Sequence, residues 1–215
     1  MARDAVLGEE HRDWTLYLAW FGPGLVKVGL TAADRGADRL LEQGAITYTT
    51  LASGRYPLIR RAEQAASATR LARERIPARA KADAWWRLPD QAERASQTEN
   101  AAQELAAATA WPDDLTLQQT PVHDLASAYG LHHPIPARYQ EMTGLDEQQA
   151  VLAGQVRAVV GRQLLLDTPC GPVLADMRRV AGHTLARCDP SGALAGLHLT
   201  PRHQPRESDD QTQLF

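Results

Sequence analysis

The stretch LYLAWFGPGLVKVGLT, residues 16–31, decides the fold of this chain. Aromatic and apolar residues crowd both sides of a Gly-Pro-Gly punctuation at 22–24. That pattern reads as two strands, WTLYLAWF (14–21) and LVKVGL (25–30), joined by a turn. Lys27 interrupts the second strand between Val26 and Val28. Thr31-x-x-Asp34 has the form of a capping box, which predicts a helix over 32–43 with Gly44 as its stop.

Working outward, AITYTTLA (45–52) is rich in β-branched residues and predicts a third strand. SGRYP turns the chain, with Pro57 suited to a helix start. Leu58, Ile59, Ala62, Ala65, Ala66 and Thr69 keep a helical spacing that extends the helix to about residue 74. Pro77 ends that run, and KADAWWRLP (81–89) follows. Residues 90–110 are an Ala-rich helix, and 112–150 read as loop and helix punctuated by prolines. From 151 the character changes. VRAVVG, RQLLLDT, PVLADMR and HTLARC are short apolar segments at regular spacing, which predicts a small β-barrel or sandwich-like module. The class is therefore α+β: a three-stranded antiparallel sheet with helices at 14–90, a helical connector at 91–150, a β-rich subdomain at 151–199 and a polar, disordered tail at 200–215.

Composition narrows the function. No apolar run approaches the 18 residues of a membrane span, and Cys170 and Cys188 are too far apart for a C-x-x-C motif. The seven histidines are scattered without ligand spacing. A cytoplasmic, reduced protein is expected. The net charge of −3 conceals an asymmetry: residues 55–87 carry nine basic and three acidic side chains, whereas 88–150 carry two and ten. A local excess of Arg is what phosphate neutralisation requires, although an Arg-rich helix can equally be a solvated face.

The polar residues that interrupt the opening pattern are Tyr17, Lys27, Arg35, Arg39 and Glu63. Cleaving a phosphodiester needs a base, a cation against the developing charge, a phosphate clamp and a stabilised leaving oxygen. Glu63 would hold Mg²⁺, a hard ion content with one or two carboxylates. Arg39 would clamp the phosphate. Tyr17 would act as base only if Lys27 and Arg39 lowered its ordinary pKa of about 10. Arg35, Arg60, Arg61, Arg70, Lys81 and Trp85 are the accompanying candidates for contacts to nucleic acid. The plainer readings are that Lys27 faces solvent, that Arg39 and Glu63 pair with Glu42 and Arg60 on helix surfaces, and that Trp85 and Trp86 belong to a core or interface.

These residues carry a resemblance. LYL…VKVGLT…R…E is similar to a diverged GIY-YIG nuclease domain, with Tyr17 and Lys27 ten residues apart, Arg39 as the helix arginine and Glu63 as the metal-binding glutamate. Lys27 stands where that family usually shows a tyrosine. More closely, VKVGLT, RLLEQGA (39–45), RAE, K-x3-W and the later GQVRAVVGRQLLLD…VLADMRRVAGH resemble the domain-of-unknown-function 2797 family over roughly residues 14–187. The GIY-YIG likeness implies Mg²⁺-dependent phosphodiester cleavage, as in DNA repair. The alternatives are a non-catalytic nucleic-acid-binding module and a recruited scaffold. The final QTQLF resembles the peptide by which bacterial proteins dock on the replication sliding clamp, which implies partner contacts by Gln211, Leu214 and Phe215.

Overall fold

The computed structural model describes residues 12–73, 75–118, 120–131, 134–146, 149–189 and 193–204. The chain divides into two compact units, residues 1–126 and 127–215.

The first unit is built on the hairpin. Strands β1 (Asp13–Trp20) and β2 (Val26–Ala32) pair antiparallel, with Tyr17 opposite Gly29 and Ala19 opposite Lys27. Strand β3 (Thr47–Arg55) pairs with the other edge of β1, and the two-residue strand β4 (His123–Asp124) completes the order β2-β1-β3-β4. β1 is therefore central, and Leu16 through Phe21 are all buried. Alternation sends its side chains to two faces. Leu16 and Leu18 join Val28 and Leu51 under Ile59, Ala62 and Ala66 of helix α2 (Tyr56–Ala68) and under Ala102 and Leu105 of helix α4 (Gln91–Ala108). Tyr17, Ala19 and Phe21 face Leu40 of helix α1 (Asp38–Gln43) and Ala84 of helix α3 (Ala78–Ala84). Helices thus cover both faces of this sheet.

The local signals were partly overruled. Thr31 does not cap a helix: it lies buried in β2, its hydroxyl 3.4 Å from the Ala32 carbonyl. The chain makes one 3₁₀ turn at Ala33–Arg35, breaks at Gly36 (φ +45°), and forms only the short α1. Gly44 does close α1, at φ +72° in the left-handed region. The SGR segment, expected as turn, continues β3, and α2 starts with Pro57 in its first turn but stops at Ala68. α4 is capped by the Asp90 carboxylate, which accepts from the Glu93 N–H at 2.9 Å.

The second unit is one five-stranded sheet in the order β6-β7-β8-β5-β9. Strands β6 (Gln155–Val160), β7 (Gln163–Thr168) and β8 (Gly171–Asp176) are the three expected apolar segments. HTLARC is not a strand. Its place is taken by β5 (Arg138–Leu145), from the stretch expected as helical connector, and β9 (Leu197–His203), which runs into the expected tail. β5 pairs parallel with β8 and antiparallel with β9, so the module is a mixed sheet around Tyr139, Met142, Leu165 and Val173.

Candidate functional site

Period-two alternation fixes the floor of the site. Tyr17 and Gly29 face one another across β1 and β2, and Lys27, two residues before Gly29, projects to the same side. The Tyr17 ring lies directly over Gly29: a Cβ there would sit 2.6 Å from the hydroxyl. Glycine is required at 29 because of this close approach.

The last residue of α1 joins the parts. The Lys27 ammonium donates to Gln43 Oε1 at 2.9 Å, and Gln43 Nε2 donates to the Tyr17 hydroxyl oxygen at 2.8 Å. Lysine has donors only, so it fixes the amide with its oxygen toward Lys27. Tyr17 is then the acceptor from Gln43, and its own O–H proton is directed elsewhere. Lys81, on α3, donates to the Gln43 backbone carbonyl at 2.6 Å and sits 3.9 Å above the Phe21 ring centroid. Gln43 therefore anchors two lysines and a tyrosine.

Electrostatics sets the protonation states. Burial pushes the Tyr17 hydroxyl above its ordinary value, against smaller lowering contributions from the Gln43 hydrogen bond and the Arg39 charge, and with Glu63 also raising it. Lys27 did not lower it, and the phenol stays protonated at neutral pH, suited to donate a hydrogen bond. Burial pushes the Lys27 amine below its ordinary value, Arg39 and Arg75 push it the same way, and Glu63 opposes them.

Arg39 shares a face of α1 with Gln43, is 3.5 Å from Glu42, and acts on Tyr17 and Lys27 through its charge. Arg35 pairs with the same Glu42 at 2.6 Å. Glu63 belongs to α2, which packs on the opposite face of the sheet, and its carboxylate is ion-paired with Arg60. Glu63 thus reaches Tyr17 and Lys27 through charge only. Arg61 is held by Asp114 at 2.8 Å, and Arg70 is exposed with a left-handed backbone at φ +62°. Trp85 is 5% exposed, so its ring face is closed to a stacking base. Gln211, Leu214 and Phe215 lie outside the described residues. Among the described residues no group of three or more His, Cys, Asp or Glu side chains is placed to hold a metal ion, and Glu63 alone, committed to Arg60, is a poor fit to Mg²⁺.

Gln43 escaped the sequence reading because a glutamine at the end of a short polar helix looks like surface. A compositional signal was there. The chain contains only two lysines, Lys27 and Lys81, against 21 arginines. Both end on Gln43.

Together these features describe a two-unit α+β protein with a lysine–tyrosine site on an antiparallel hairpin. The chain belongs to the family described as "Protein of unknown function (DUF2797)", whose model matches residues 2–185 and so takes in the hairpin site and β6 through β8. No curated protein and no solved structure matches the chain. No described helix is long and apolar enough to cross a membrane.

Proposed function

We propose that this protein processes nucleic acid and holds a phosphodiester at Lys27 and Arg39 of its first unit. One observation carries the reading. Lys27 and Lys81 converge on Gln43 beside a protonated tyrosine, with Arg39 and Arg75 in electrostatic reach. An ammonium and nearby guanidinium groups offer protons, which suits phosphate oxygens. The basic block at 55–87 supplies further positive charge along the chain.

The test is a salt titration of binding to labelled single-stranded, nicked and branched DNA and to RNA. Affinity should fall linearly on a log–log plot with added salt, and Lys27→Ala or Arg39→Ala should weaken binding to every sequence about equally. Binding that ignores salt, or that survives both substitutions unchanged, refutes the proposal. Cleavage of any of these substrates in Mg²⁺ that persists in Glu63→Ala refutes the assignment of Mg²⁺ to Glu63. The clamp partner is a separate arm: capture on the bacterial sliding clamp should be lost when Leu214 and Phe215 become alanine.

A further inference from the structure

The second unit contains a cavity of about 560 Å³. Its floor is one face of the sheet: Leu164 and Met142 both lie opposite Ala175, and Leu166, two residues from Leu164, projects to the same side. Its outer wall is the HTLARC stretch, whose apolar residues suggest a strand in the sequence. Residues 181–189 form neither helix nor strand, and every one of them is exposed. Leu185 lines the cavity and is the most exposed large apolar side chain among the described residues. Well-packed proteins keep few voids larger than a water molecule, whereas concave, mostly apolar spaces of about 300–1,000 Å³ are the sites that take small molecules.

The charges of the lining define the other end of such a molecule. Asp146 and Arg187 both reach the cavity, and they do not pair with each other. The Asp146 carboxylate accepts from His198 Nε2 at 3.1 Å. Arg187 has no ion pair among the described residues. A free guanidinium matches a carboxylate with two parallel hydrogen bonds. One guanidinium in a cavity that also holds Asp146 suits a ligand with one negative charge rather than two.

We infer that the second unit binds a small monocarboxylate with an apolar body. The body lies on Met142, Leu164 and Leu166 and takes Leu185 out of water; the carboxylate pairs with Arg187. The site belongs to the second unit alone and does not rest on the phosphodiester reading of the first.

Decanoate, decanol and decylamine share one chain length and differ in head-group charge, so calorimetry with the full chain at neutral pH separates the apolar and charged parts of the site. Decanoate should bind saturably, with decanol at least about tenfold weaker and decylamine weaker still. The two thiols report the location: both are exposed, and Cys188 lines the cavity whereas Cys170 does not. Decanoate should slow alkylation of Cys188 by N-ethylmaleimide, read by peptide mass, and leave Cys170 unchanged. Arg187→Met should lower decanoate affinity to that of decanol, and Arg187→Lys, which keeps the charge, should retain most of it. Absence of binding, or decanol binding as tightly as decanoate, overturns the proposal. Binding that leaves Cys188 unprotected overturns the location. Decanoate binding unchanged in Arg187→Met, or lost equally in Arg187→Lys, overturns the pairing with Arg187.

Discussion

The contact between Tyr17 and Gly29 gives a quantitative test of the site's construction. In Gly29→Ala the new methyl would lie 2.6 Å from the Tyr17 hydroxyl, 2.9 Å from Cζ and 3.3 Å from Cε2. Tyr17 is 2% exposed and packed among Ala19, Leu40 and Ala84, so the ring has little room to retreat. Overpacking of this kind costs about 1–3 kcal/mol. A displaced ring also loses its hydrogen bond from Gln43, worth about 0.5–1.5 kcal/mol. The substitution should therefore destabilise the first unit by about 2–4 kcal/mol. The nearest atom is the hydroxyl oxygen, so Tyr17→Phe should relieve part of the clash. The double variant should then be more stable than the sum of the singles by about 1–2 kcal/mol, well above the additivity error of about 0.5 kcal/mol. Urea unfolding is the assay. All five tryptophans lie in the first unit, so their fluorescence reports its midpoint. Gly29→Ala within about 0.5 kcal/mol of wild type, or a strictly additive cycle, would refute the packing account.

Other outcomes follow from the same geometry. Lys27 binds fewer protons folded than unfolded between its depressed value and its ordinary 10.5, so its contribution to stability grows as pH rises through that window. Lys27→Met should flatten this rise in unfolding free energy measured from pH 7 to 10. Tyr17, raised by burial, acts in the opposite sense: its contribution is complete below pH 10 and is lost as pH rises through the folded value, so Tyr17→Phe should blunt the alkaline fall. Asp90→Ala removes the cap of α4 and should cost about 0.5–2 kcal/mol in the same urea assay. Arg61, committed to Asp114, should change the salt slope of DNA binding less than Arg39 does.

The hairpin was legible because its alternation, its glycine turn and its buried centre all point one way. The helix after it was not, because the local capping pattern at Thr31 lost to strand pairing and to the break at Gly36. β5 was missed for a different reason. RYQEMTGL shows little apolar alternation, since only Tyr139 and Met142 are fully buried and the pairing shifts register between Met142 and Gly144. HTLARC showed the reverse: enough apolar residues to suggest a strand, yet Leu185 is 68% exposed. At the site, Tyr17 and Lys27 were visible as polar residues in apolar strands. Their joining through Gln43 is a tertiary fact that spacing does not encode. The separation of Glu63 onto the other face follows from α2 packing against Leu16 and Leu18 rather than against Tyr17.

The strand order of the second unit bears on how the protein is made. The sheet of the first unit is complete once β4 has been synthesised, so that unit can close while the rest of the chain is still on the ribosome. In the second unit β5 is the first strand made, yet both its neighbours, β8 and β9, come later. Until His203 has emerged, β5 presents unpaired backbone to whatever is near. The interval between synthesis of β5 and β9 is therefore the period in which a nascent chain most needs protection from strand-to-strand association with its neighbours.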